Sequence, residues 1–140
     1  MSAIENFKQF YQQLSSKDIS GLATVYSKDI EFIDPITTHY GIQDVSNYFS
    51  QLFKNTRSCA FNIKNIEQSG AESFTVEWTM VFVSKRLSKS KEITVDGVTL
   101  LKTNNNLVIY HRDYYDLGQL IYENIPLLGA VVKKIKEQMR

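Results

Sequence analysis

Within "YHRDYYDLG", residues 110–118, a histidine, an arginine, two aspartates and three tyrosines stand almost side by side. Histidine and aspartate exchange protons near neutral pH, so the stretch has the means for general acid–base chemistry. Which of these groups can cooperate depends on the backbone. In an extended strand, alternate side chains share a face. Ile109, His111, Asp113 and Tyr115 then face one way, and Tyr110, Arg112, Tyr114 and Asp116 the other. His111 and Asp113 form a candidate catalytic pair, and Arg112 points away from it.

A third candidate lies in "KDIEFIDP", residues 28–35, where Ile30, Phe32 and Asp34 have one parity. Two apolar residues on the inner face put the Asp34 carboxyl at the edge of the core. A partly desolvated carboxyl there suits a general base or acid, and an aspartate before a proline also suits an Asx turn. In the strand that follows later, Phe74, Val76, Trp78, Met80 and Phe82 share one face and read as core or as a pocket wall. Thr75, Glu77, Thr79, Val81 and Val83 face outward. His39 with Asp34, His111 and Asp113 resembles a metal set in composition, but the spacing matches no compact ligand motif. The expectation is no metal and no other cofactor. Cys59 is the single cysteine, so an intrachain disulfide is excluded and a buried, inert thiol is expected.

The elements that must hold these residues follow from periodicity. Residues 2–14 carry Ile4, Phe7, Phe10/Tyr11 and Leu14 at helical intervals, with Ser2 and Glu5 at capping-box spacing. Asp18 can cap a second short helix carrying Ile19, Leu22 and Val25/Tyr26. "KDIEFIDP" is a strand stopped by Pro35, and "TTHYG" a loop. A third helix has Ile42, Val45, Tyr48/Phe49 and Leu52/Phe53 on one face. The period then changes to two through "AFNIKNIE", "SFTVEWTMVFVSKRL", "KEITVDGVTLLK" and "LVIYHRDYYD". The order α-α-β-α-β-β-β-β-α, with helices first and a meander after, predicts an α+β fold. Residues 1–140 read as one domain, with 117–140 as a helical extension in two pieces near Pro126 and Gly129.

The whole chain has 140 residues, is 43% apolar and carries a formal charge of +1. That suits a folded protein and gives no electrostatic case for nucleic acid. The opening "MSAIENFKQFYQQL" lacks a leader's apolar run, and no stretch reaches the roughly 18 apolar residues of a span, so a cytoplasmic location is expected. The tail "LLGAVVKKIKEQMR" is amphipathic and basic. It reads as a helix closing the pocket mouth or the sheet edge rather than a membrane contact.

"VYSKDIEFIDPITTHYG" followed by a helix resembles the "YADDATVEDP…G" segment of ketosteroid isomerases. These belong to the nuclear transport factor 2-like superfamily, with SnoaL-like polyketide cyclases and limonene-epoxide hydrolases. "DYYDLG" resembles the last strand of SnoaL-like members. The resemblance covers residues 4–120 and implies a cone: a curved antiparallel or mixed sheet wrapped around the N-terminal helices. It places Asp34 at the isomerase base and Tyr115 at an isomerase tryptophan. The oxyanion tyrosine of the first helix falls on Phe10, with Tyr11 about 100° around the helix. A second oxyanion donor falls on Asp96 or Gly97. The Asp-Arg-Asp set of the epoxide hydrolases fails at Arg112. SnoaL-like cyclases need one acid/base in an apolar pocket, which Asp34, His111 and Asp113 could supply. The resulting expectation is a pocket for an apolar small molecule, contacted by Trp78, Tyr115, Tyr11 and His39. Acid–base chemistry is one use of it. The alternative is a non-catalytic binder or dimeric interaction module. A homodimer through the outer sheet face is expected.

Overall fold

The computed structural model describes all residues except 88–90. In chain order the elements are α1 (Ala3–Gln12), a 3-10 turn (Leu14–Ser16), α2 (Leu22–Val25), β1 (Tyr26–Ile33), β2 (Thr38–Tyr40) and α3 (Ile42–Asn55). Then come β3 (Thr56–Gly70), β4 (Ser73–Ser84), β5 (Glu92–Asn104), β6 (Leu107–Tyr115), α4 (Leu117–Leu120), a 3-10 turn (Tyr122–Asn124) and α5 (Pro126–Gln138). The six strands form one open sheet in the order β2-β1-β6-β5-β4-β3. The pair β1–β6 is parallel and the others are antiparallel. This is the α+β architecture with a mixed sheet that the sequence implies.

Local signals start the helices where expected. Ser2 and Glu5 close a capping box, each side chain bonding the other's backbone N–H. One face of α1 buries Phe7, Phe10 and Tyr11, and one face of α3 buries Val45 and Phe49. Both pack into a core with Phe32, Val76, Trp78, Met80, Phe82, Val95 and Val108 from the sheet. Burial of each large apolar side chain contributes about 1.5–3 kcal/mol, and the helices have no other means of hiding these stripes. Three register shifts along β3 mark bulges, which bend a long strand.

Four local expectations change. "TTHYG" is not a plain loop: Thr38–Tyr40 pairs with β1. Tyr26 opens β1 instead of ending a helix. Asp18 does not cap α2; its carboxylate accepts from the Ser20 N–H at 2.9 Å. In β6 the simple alternation fails at Ile109. Lys102 pairs with Tyr110 and Thr103 with Val108, so Ile109 is an extra residue. The bulge lets Val108 and His111, three apart, both point inward, and leaves Ile109 partly exposed. From His111 onward the expected parity holds.

The tail also departs from expectation. Leu120 and Ile121 line the large pocket. Helix α5 instead leaves Leu127, Val131, Ile135 and Met139 exposed. It is fixed through Gly129, where a Cβ would lie 2.4 Å from the Glu123 carbonyl oxygen, and through Lys136, which bridges Glu123 and Asp116. Among the described residues, no helix is long and apolar enough to cross a membrane.

Gly41 joins β2 to α3 at φ 83°, ψ 157°, a region open essentially to glycine alone. Gly41→Ala is expected to cost about 1–3 kcal/mol of stability, read as a lowered midpoint in a thermal melt.

Candidate functional site

The site grows from one buried imidazole. His111 is 1% exposed. The parallel register sets it opposite Phe32, and their rings stack with centroids 4.0 Å apart. Phe7, Tyr11 and Tyr26 complete an aromatic shell around it. A polar ring in such a place needs a partner on each nitrogen. Nδ1 lies 2.9 Å from the Tyr26 hydroxyl, and that hydroxyl lies 2.8 Å from the hydroxyl of Tyr11. Nε2 lies 2.7 Å from Asp113 Oδ1.

A second branch reaches the same oxygen. Thr99, the cross-strand partner of Asp113, donates its hydroxyl to Oδ1. The indole N–H of Trp78 in turn donates to Thr99 at 2.7 Å. This branch depends on Gly97. Trp78 faces Gly97 across β4–β5, and a Cβ there would lie 2.3 Å from the indole. The missing side chain lets the ring lie over β5 and reach Thr99, two residues along.

The proton positions follow from what each group can do. A carboxylate only accepts, so His111 carries its proton on Nε2. Nδ1 then accepts from Tyr26, and Tyr26 accepts from Tyr11. Trp78 can only donate, so Thr99 spends its own proton on Asp113. Every member of the chain Tyr11–Tyr26–His111–Asp113–Thr99–Trp78 is satisfied, and both branches end on Oδ1. Neither branch uses Oδ2. Burial pushes the hydroxyls of Tyr11 and Tyr26 well above the usual phenol range, so both stay protonated donors.

Asp113 stands where two cavities meet. The inner one, about 20 Å³, holds space for a single water and is lined by Tyr11, Phe32, His111 and Asp113 among others. The outer one, about 600 Å³, is lined by Asp34, His39, Tyr48, Trp78, Asp113 and Tyr115, with Leu120 and Ile121 on one wall. Burial also raises Tyr48 and Tyr115, and both phenols feel the charges of Asp113 and Asp34. The two carboxylates therefore bear on one space.

Of the residues picked from sequence, Asp34, Asp113, Trp78, Tyr115 and His39 line the outer pocket. His111 sits behind Asp113 and lines only the inner cavity. Tyr11 is also confined to the inner cavity, where it ends the relay. Phe10, on which the family count falls, packs edge-on against Phe49. Asp34 is in large part a turn residue: its Oδ1 accepts from the N–H groups of Ile36 and Thr37 at 2.8 and 2.9 Å. Among the described residues, the buried His39 Nε2 has no hydrogen-bond partner. Asp96 is excluded from the site. It faces outward, bound to Thr79 at 2.7 Å and near Lys64 at 3.6 Å. Gly97 takes the inward position and supplies no donor. Arg112 turns outward over the ring of Tyr114. Cys59 is buried, with its thiol pushed up to about 12 by desolvation, so it is no nucleophile at neutral pH. Among the described residues, no group of three or more His, Cys, Asp or Glu side chains is placed to hold a metal.

Sequence reasoning missed Tyr26, Thr99 and Tyr48. Helical spacing with Leu22 puts Tyr26 on a helix, whereas it opens β1. The parity of Thr99 with Val95 and Leu101 marks it as inward, and a lone threonine among apolar neighbours was the available signal.

Residues 1–112 match the family described as "Uncharacterized conserved protein (DUF2358)". The chain belongs to the DUF2358 family. No curated protein matches the sequence. Among solved structures, this DUF2358 chain is similar to an NTF2-like protein of unknown function from Burkholderia pseudomallei. They share 16% identity with a TM-score of 0.76, covering 86% of this chain and 96% of that one. It is similar to a ketosteroid isomerase-like protein from Catenulispora acidiphila in complex with trimethylamine, at 18% identity and a TM-score of 0.76, over 86% and 92% of the two chains. A candidate SnoaL-like polyketide cyclase from Shewanella putrefaciens matches at 19% identity and a TM-score of 0.71, over 84% and 92%. The DUF2358 chain thus has the NTF2-like fold that its sequence resembles.

Tyr26→Phe leaves a buried imidazole nitrogen and the Tyr11 hydroxyl without partners. The expected cost is about 1–3 kcal/mol, measured by denaturant unfolding. High pH gives a second expectation. Tyr11, Tyr26, Tyr48 and Tyr115 all ionise later in the folded chain than in the unfolded one. Their contribution is intact below the unfolded phenol value of about 10 and is lost as pH rises above it. Tyrosinate absorbance from these four should then appear together with loss of folded structure, in one cooperative step.

Proposed function

We propose that this protein holds an apolar small molecule in the outer pocket and that Asp113 exchanges a proton with it. The observation that carries this reading is the convergence of both hydrogen-bonded branches on Asp113 Oδ1 at the pocket floor. Fixed partners on one oxygen orient the carboxyl and leave Oδ2 for the ligand. His111 is a positioning residue here: it touches Asp113 and no part of the outer pocket. Asp34 has two backbone partners and serves the loop first. The trimethylamine held by the Catenulispora protein supports a small-molecule pocket in this fold.

The chemistry that suits the site is proton transfer at carbon beside a carbonyl. Oδ2 takes the proton, the C–H electron pair moves into the C–C–O system, and the carbonyl oxygen gains charge. Tyr48 and Tyr115, kept protonated by burial, are the O–H donors on the pocket wall for that oxygen. Return of the proton to a different carbon would isomerise the substrate; attack of the enolate carbon on a second carbonyl of the same molecule, with the proton passed to the new alkoxide, would close a ring.

The second reading is binding without turnover. The lack of any side chain at Gly97, where a second oxyanion donor would stand, favours it.

An apolar ketone in deuterated buffer separates the two. The protein should accelerate exchange of the α-protons of 2-tetralone, followed by proton NMR. Asp113→Asn should lower that rate by about 100-fold or more, the usual size of a lost general base. Asp34→Asn should lower it far less. Equal rates with and without protein, or an undiminished rate in Asp113→Asn, would sink the catalytic reading. A small molecule retained in native mass spectrometry of the purified protein would then support the binder.

A further inference from the structure

The outer pocket has an unusual balance of charge. Asp34, Asp44 and Asp113 line it, and among the described residues no lysine or arginine does. The chain as a whole carries 16 basic and 15 acidic residues, so this is not a matter of overall composition. Asp34, Asp44 and Asp113 make no ion pair with lysine or arginine among the described residues; the partner of Asp113 is His111. Arg112 shares an adjoining cleft with Asp34 and Asp113, yet its guanidinium lies over the Tyr114 ring on the outer side. The walls between the carboxylates are aromatic. Phe61 and Tyr115 each meet the Trp78 ring edge to face, at 5.6 and 6.2 Å between centroids, and Tyr48 packs on His39. His39 lies on the same lining, and its buried Nε2 has no hydrogen-bond partner among the described residues.

We infer that the ligand of this pocket is an apolar organic cation, an ammonium group set against the aromatic faces of Tyr48, Trp78 and Tyr115 and between the carboxylates of Asp34 and Asp113. This rests on the pocket reading above and names the class of molecule the pocket takes. Aromatic faces present the negative side of their quadrupole to a cation, and the attraction grows when both are desolvated. Uncompensated carboxylates add to it and repel an anion of equal shape. A neutral hydrocarbon would fill the volume but leave the carboxylates without a counter-charge.

Trp78 is the only tryptophan and lines the pocket, so its emission reports occupancy directly. The full chain is titrated with benzyltrimethylammonium, with neopentylbenzene, its uncharged isostere, and with 4-tert-butylbenzoate, an anion of similar size. The cation should bind at least about fivefold more tightly than the isostere, and the anion more weakly than both. Asp34→Asn and Asp113→Asn, each first shown folded by circular dichroism, should weaken the cation and leave the isostere unchanged. Equal binding of cation and isostere, or preference for the anion, would overturn the cation while leaving the pocket. No change in Trp78 emission with any of the three would remove the pocket reading and this inference with it.

Discussion

A histidine that is buried on all sides must be hydrogen-bonded at both ring nitrogens, and much of this site follows from that requirement. His111 is enclosed by Phe7, Tyr11, Tyr26 and Phe32. One of its nitrogens calls for Tyr26, which then calls for Tyr11. The other calls for Asp113. The parallel pairing of β1 with β6 brings Phe32 opposite the ring, and the short helix before β1 ends so that Tyr26 starts the strand. Helix α1 is held against the sheet by apolar burial and also by the Tyr11 hydroxyl at the end of this chain. The core is thus polar at its centre, and every polar member of the relay is paired.

Two aspartates of the same pocket do different work because their surroundings differ. Asp34 meets backbone N–H groups at the start of a loop, and its hydrogen bonds shape that loop. Asp113 meets side chains that belong to a buried relay, and its bonds fix its carboxyl on the lining of the outer pocket. Gly97 enters as an absence of matter: the indole of Trp78 occupies the space a side chain would take, and so brings its N–H to Thr99.

Much of this was legible in the sequence, and the illegible part has identifiable causes. Alternation alone gave the inward face of β4, and from His111 onward that of β6. Helical spacing gave the buried faces of α1 and α3. The bulge at Ile109 could not be read, since a bulge has no fixed residue signature and it shifts parity only upstream of itself. Tyr11 reads as a pocket residue and is instead the end of the relay, because helical spacing shows that a side chain faces inward but not which cavity it reaches. Tyr26 and Thr99 were missed for another reason. Their partners lie 85 and 14 residues away, and only pairing of the strands shows that they meet. Asp34 was legible in both of its readings, and the sequence had no means of choosing between them.

The parallel contact of β1 with β6 has a consequence for how the chain comes to be folded. Strand β1 is made early, and its neighbour β6 comes from near the end of the chain. On a ribosome, β1 has only the three-residue β2 to pair with until β3, β4, β5 and β6 have all been synthesised. The N-terminus is tied to the same late region, since Asn106 takes the Ala3 N–H and bonds the Met1 carbonyl. Contacts between such distant segments close slowly. Helix α3 meets β1, β2 and β3 and helix α1 meets β3, so their apolar faces can be covered in part before β6 is made. The relay around His111 can assemble only once β6 has taken its place between β1 and β5.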